Sequence, residues 1–134
     1  MSRKTDSNNP ADWLAIAAQE IEGVRMLAKH ECAHEMCRSK LSEIVEKVMK
    51  AELIRSGWPL LKTHDLEHLL GELTSRGSDL AERFQPLSDD LAEAYFIDRY
   101  PGFDLEDPDW PKLRGQLEAI AQLLEAVKAR LAGS

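Results

Sequence analysis

Apolar residues first recur at helical spacing in Leu14, Ala17, Ile21, Val24 and Ala28, three or four positions apart. That spacing is the apolar face of an amphipathic helix. Asn9 followed by Pro10 predicts an N-cap and first helical residue, with Asp12 placed to meet the positive end of the helix dipole. No proline or Gly-containing turn interrupts the pattern until Gly57-Trp58-Pro59. Taken literally, residues 10–56 would form a single helix about 70 Å long. A folded chain of this size has a radius of gyration of only about 14 Å, so the helix must break. The apolar repeat fades over Lys29 to Glu35 and restarts in Cys37, Leu41, Ile44, Val48 and Ala51. A turn is therefore expected near residues 29–34.

The second helix should end at Arg55-Ser56, with Gly57 as its left-handed C′ residue. Thr63 is the expected cap of a third helix carrying Leu66, Leu69, Leu70 and Leu73 and closed by Gly77. Residues 78–85 read as a short helix or turn ended by Pro86. Ser88 then reads as the cap of a fourth helix, from Asp89 to about Asp98, stopped by Pro101-Gly102. Asp109 should cap the last helix, in which Leu113, Leu117, Ile120, Leu124, Val127 and Leu131 follow strict 4/3 steps. No alternating strand pattern occurs. The expected fold class is all-α, an antiparallel up-down bundle of four to five helices. Residues 1–9 read as a flexible arm and residues 10–132 as a single helical domain.

Composition fits that reading. The chain has 134 residues, 43% of them hydrophobic and 31% charged, which is a normal globular balance for one domain. The longest apolar run, Trp13 to Ala18, is far short of the roughly 20 residues that cross a membrane. Met1 to Pro10 contains no apolar signal core, so the cytoplasm is the expected compartment. Two cysteines, Cys32 and Cys37, are expected as thiols. Net charge is −7 and unevenly spread, with eight acids against Arg99 alone between Asp89 and Asp109. A protein that tracks nucleic acid over a long surface needs a basic stripe, which is missing here. DNA is not expected as a partner, and any RNA contact must be local.

Several motifs need weighing. His30-Glu31-Cys32-Ala33-His34 spells the zinc-protease H-E-x-x-H, which requires both histidines on one helix face. The expected helix break falls inside it, and no sheet is available to hold substrate. His30, His34 and Cys37 would share a face only if the helix continued, so no metal site is assigned and the stretch reads as a polar interhelical turn. Arg25 and His30 spell R-x4-H, but residues five apart on a helix point about 140° from each other. There is no glycine-rich phosphate loop after a strand, and no cofactor is implied.

The remaining signal is a set of blocks in order: Glu46-Lys47-Val48-Met49-Lys50-Ala51, then Gly57, then Thr63-His64-Asp65-Leu66, then Arg99-Tyr100-Pro101. Together with Trp13-Leu14 near the start, they resemble the HEPN domain family (higher eukaryotes and prokaryotes nucleotide-binding) over about residues 10–130. The resemblance implies a short helical bundle, usually a homodimer. Relatives include RNA-cutting toxins and partners of small nucleotidyltransferases. The ribonuclease branch carries R-x(4–6)-H, whose arginine corresponds to Arg99. Here the stretch that follows at that spacing, Asp104 to Asp107, includes no histidine, and none occurs after His68.

The expectation is thus a nucleotide-, short-RNA- or partner-binding module without that ribonuclease motif. Its phosphate contacts would come from Lys50, His64, Arg99 and Tyr100, and its protein partner would be nucleotidyltransferase-like. The alternative is a divergent, metal-independent endoribonuclease in which His64 is the acid/base and Arg99 stabilises developing charge. A third reading is a purely structural dimerisation subunit. Each residue also has a plainer explanation. Thr63-His64-Asp65 could only start a helix, Lys50 could be a solvated lysine, and Arg99 could pair with Asp98, Glu93 or Asp104. Tyr95, Phe96 and Tyr100 could be core.

Overall fold

The computed structural model describes residues 7–59, 62–94 and 107–132. They form five helices: α1 (Pro10–Lys29), α2 (His34–Arg55), α3 (Leu66–Ser75), α4 (Ala81–Leu91) and α5 (Trp110–Ala132). Among the described residues there is no strand. The long helices α1, α2 and α5 pack against one another, and α3 and α4 pack against each other and against α2. The core lies between them and includes Leu14, Ile21, Leu41, Ile44, Leu53, Leu66, Phe84, Leu113 and Ile120. Helix α2 is central, so it is buried on more than one face and carries polar residues into the interior: Ser39, Ser42, Glu46, Lys50 and Glu52.

Local chemistry explains most boundaries. Asn9 caps α1, its side chain accepting from the Ala11 amide at 3.0 Å, and Pro10 follows. Ser7 is tied to the same turn: its hydroxyl donates to Asp12 at 2.6 Å and its carbonyl accepts from Trp13 Nε1 at 2.7 Å. Helix α2 ends in a Schellman motif, with the Gly57 amide donating to Ile54 O and the Trp58 amide to Leu53 O. Gly57 has φ +97°, which a glycine adopts without the steric cost of a Cβ. Asp109 caps α5 by accepting from the Lys112 amide at 3.0 Å.

The turn between α1 and α2 falls at residues 30–33, within the expected window, but by an unexpected device. The Glu31 amide donates to Ala28 O and the Cys32 amide to Leu27 O, another Schellman motif. Its C′ residue is Glu31, at φ 51°, and Ala33 follows at φ 55°. Neither is glycine, so both carry left-handed strain. Arg114 of α5 braces this turn, donating to Ala28 O at 3.0 Å and to Glu31 Oε2 at 2.6 Å.

Three expectations are corrected. Asp65, not Thr63, caps α3: its Oδ1 accepts from the amides of Glu67 and His68, while Thr63 Oγ1 accepts only from the Asp65 amide. Pro86 does not end a helix but lies inside α4. The buried stripe Leu80, Phe84, Leu87 and Leu91 runs through it, and packing of that stripe outweighs the cost of one missing bond on the exposed side. Ser88 accordingly is a buried residue within α4 rather than a cap, and the fourth helix starts at Ala81, not Asp89. Helix α4 ends at Leu91, and of the expected continuation to Asp98 the part from residue 95 on, like the Pro101-Gly102 stop, lies outside the described residues.

Candidate functional site

Four polar residues of α2, Glu43, Glu46, Lys47 and Lys50, stand at i, i+3, i+4 and i+7 and so share one helix face. Trp13 of α1 covers one side of that face. Lys62, Thr63 and His64, in the segment leading into α3, cover the other. Together these eight residues line a cleft of about 410 Å³. That is within the size range of small-molecule sites.

Glu46 is the hub. It is 6% exposed, and each of its two oxygens has a nitrogen partner. Oε2 lies 2.9 Å from Lys50 Nζ and Oε1 lies 2.8 Å from His64 Nδ1. Lys50 is 3% exposed, and its ammonium also sits 5.1 Å from the centre of the Trp13 ring. A buried ammonium needs such compensation: a carboxylate and an aromatic face replace its lost water. The imidazole of His64, by contrast, is 61% exposed, held at one nitrogen by a buried carboxylate. Around this hub, Lys47 bridges to Glu20 of α1 at 2.5 Å and Lys40 bridges to Glu20 and Glu43 at 3.1 and 3.0 Å. These pairs leave Lys62 as an exposed rim cation with no ion pair among the described residues.

The site residues expected from sequence divide accordingly. Lys50 and His64 come together on Glu46, 2.9 and 2.8 Å from its oxygens. Lys50 is a buried lysine rather than a solvated one. Arg99 and Tyr100, like Tyr95 and Phe96, lie outside the described residues. Trp13, Glu43, Glu46, Lys47, Lys62 and Thr63 were not expected as site residues. Part of that was readable, since Glu43, Glu46, Lys47 and Lys50 follow i, i+3, i+4, i+7 spacing and so form one charged stripe on α2.

The turn motifs resolve differently. His30 ends α1 and His34 starts α2, so the break separates the two histidines of H-E-x-x-H. His34 is buried: its Nδ1 lies 2.9 Å from Glu35 Oε1, its Nε2 accepts from the Asp109 amide at 3.1 Å, and its ring meets Trp110 edge-on at 4.9 Å. It joins the starts of α2 and α5. Cys37 is buried as well, and burial raises its thiol pKa above the ordinary value. Among the described residues no group of three metal-ligating side chains converges. Arg25 of the R-x4-H string pairs instead with Glu22 and, at 3.1 Å, with Glu118 of α5.

A second charged cluster ties the bundle elsewhere. Glu52, 2% exposed, lies 2.5 Å from Arg55 and 3.1 Å from Arg130 of α5. Arg130 reaches on to Asp79 at 2.7 Å, which holds that carboxyl below its ordinary pKa. These charges are paired with one another within the fold.

Comparison with known proteins bears on the whole bundle. A family model, HEPN domain, matches residues 10–130. The chain belongs to the HEPN domain family. That span runs from the first residue of α1 almost to the end of α5, so the HEPN match covers every helix described. No curated protein and no solved structure matches the chain. The family supports a nucleotide-binding or ribonuclease-type helical module in general terms. No helix among the described residues is long and apolar enough to cross a membrane.

Proposed function

We propose that this HEPN domain binds the phosphate of a nucleotide or of a short RNA in the cleft between Trp13, α2 and Lys62–His64. The observation that carries this reading is the convergence of Lys47, Lys50, Lys62 and His64 beside an indole, in a chain whose net charge is −7. Lysines supply charge, and Trp13 supplies a flat apolar surface of the kind on which bases stack. Arg99 and Tyr100, from the Arg99-Tyr100-Pro101 block, are assigned to the same ligand. The function is binding, with a nucleotidyltransferase-like protein as partner and a homodimer as the working form. Exposed Ile16, Met26 and Met36 on α1 and the start of α2 support self-association. Leu123, next to Leu124 on α5, is buried in the core and does not.

The test is titration of ATP and a short single strand at two salt concentrations. Because the cations are few, log K should fall with log salt at a slope of about two or three. Lys62→Ala and Arg99→Ala should each weaken binding by about 1–3 kcal/mol, and Lys29→Ala, far from the cleft in sequence, should leave it unchanged. A steep slope, or wild-type binding by both variants, would overturn the reading.

One observation favours a second reading. The Glu46–His64 contact of 2.8 Å is the carboxylate–imidazole arrangement that orients an acid/base histidine. Metal-independent cleavage of RNA, abolished by His64→Ala, would establish it. The binding reading predicts that structured and unstructured RNA stay intact.

A further inference from the structure

Three pairings tie α1 to α2 and keep one antiparallel register. The Lys50 ammonium lies 5.1 Å from the centre of the Trp13 ring. Seven residues along α1, Glu20 takes Lys47 at 2.5 Å and Lys40 at 3.1 Å. Seven further, Leu27 shares the walls of a second hollow with Met36. Steps of seven residues return to the same side of a helix. The furrow between α1 and α2 therefore runs on from the cleft, past Glu20, into this second hollow of about 310 Å³. From Trp13 to Leu27 it is about 21 Å long.

The far end of the furrow is apolar. Buried Val24 and Cys37 form its floor, and Leu27, Met36 and the main chain at Gly23 form its walls. Of the exposed Ile16, Met26 and Met36, Met36 is the one that lines it. Gly23 is exposed in mid-helix, and a Cβ there would meet nothing. No packing within the chain calls for glycine at that point, and glycine weakens a helix interior. What it leaves open is a flat strip of main chain beside apolar side chains, a surface that suits a planar base. Where the two hollows meet, Lys40 and Lys47 stand against Glu20 and Glu43, at 2.5 to 3.1 Å. Two positive and two negative groups balance there, so a phosphodiester crossing them meets no net repulsion.

We propose that this furrow is the path of a single-stranded RNA of about four nucleotides, the short end of single-strand site sizes. One phosphate sits in the cleft, and a base further along the strand lies in the groove between Gly23 and Met36. This rests on the cleft reading given above, and it selects a short RNA over a free nucleotide. A mononucleotide fills the cleft and leaves the groove uncovered. An apolar peptide would match the groove but not the charged cleft that continues it, whereas a strand carries both phosphates and bases. Stacking on apolar and aromatic surface accepts any base, so the path sets length rather than sequence.

The probe is a series of oligoadenylates, from one to eight nucleotides, titrated calorimetrically into the full chain. Affinity should rise with length, level off at about four nucleotides and gain about tenfold or more over the mononucleotide, the scale of one stacked base. Gly23→Glu and Met36→Glu each put a carboxylate into the groove from an exposed position. The second lies in the first turn of α2, where an acid suits the helix dipole. Both variants should bind adenosine monophosphate like wild type and lose the gain with length. Ala18→Glu, the same added charge on the α5 side of α1, should leave the whole profile unchanged. Affinity that does not change with length would overturn the strand path, leave the phosphate cleft standing and make a polypeptide the remaining occupant of the groove. Absence of binding at every length would overturn both. A wild-type rise with length in Gly23→Glu and Met36→Glu, each folded by circular dichroism, would overturn the role assigned to the groove.

Discussion

Replacing Glu46 by leucine should be among the most destabilising single changes near the cleft. The substitution keeps an apolar volume next to α1 but strands the Lys50 ammonium, which is 3% exposed and 2.9 Å from the carboxylate it would lose. The Trp13 ring at 5.1 Å remains and offsets part of the loss. Breaking a buried pair by removing one partner costs about 3–5 kcal/mol, against about 0.2–1 kcal/mol for an exposed pair. With a cation–π contact worth about 1 kcal/mol left in place, we expect about 3 kcal/mol. A domain of this size is stable by only about 5–15 kcal/mol. At a urea slope of about 1–3 kcal/mol per molar, the midpoint should fall by about 1–3 M. Lys50→Met should cost less, because Glu46 keeps His64 at 2.8 Å and lies nearer solvent. The double variant Glu46→Leu/Lys50→Met should recover most of the stability, since neither charge is then left behind. Urea unfolding followed by circular dichroism of the four proteins gives the cycle. A cost below about 1 kcal/mol for Glu46→Leu, the value of a surface pair, would refute the reasoning. So would a double variant that loses the sum of the two singles.

Three further outcomes follow from other parts of the molecule. Ala33→Gly should stabilise the chain by about 0.5–1 kcal/mol, because the left-handed φ of 55° costs alanine about 1–2 kcal/mol and glycine's extra chain entropy returns part of that; a loss of stability in urea would contradict it. Arg130 holds the folded Asp79 carboxyl below its ordinary pKa, so the native state binds fewer protons than the unfolded one in acid. The contribution is therefore complete above about pH 4 and disappears as pH falls through the folded value; the stability gap between wild type and Asp79→Asn should close in that window, and a gap independent of pH would count against it. Light scattering at micromolar concentration should give a dimer mass, twice the 15.1 kDa of the chain, and a clean monomer would remove the homodimer from the proposal.

Where the chain's pattern was local, it could be read. The 4/3 steps from Leu113 to Leu131 give α5, and Asn9-Pro10, Gly57 and Asp109 mark their boundaries because each acts on its own neighbours. The need for an α1–α2 break came from length and its place from the fading apolar repeat, but not its form, since Glu31 and Ala33 adopt left-handed angles that their residue types do not announce. Arg114, more than 80 positions away, makes that turn tenable. Pro86 misled for the converse reason: a local helix-breaker was overruled by the buried stripe on the other side of α4. The site shows the same division. His64 and Lys50 were visible in their sequence blocks, but their meeting on Glu46, across 18 residues of chain for His64, depends on how α3 docks on α2. Trp13 entered only as a marker of the first helix, because nothing within α1 shows that its ring reaches a lysine on α2.

The central claim is that the cleft between Trp13, α2 and Lys62–His64 receives a phosphate group. Its most direct test is chemical-shift mapping of the isotopically labelled chain during titration with ATP. The account predicts saturable shifts of the Trp13 indole N–H, the His64 ring and the amides of Thr63 to Asp65, reduced in Lys62→Ala. Shifts that cluster elsewhere, or none at saturating ATP, would contradict it.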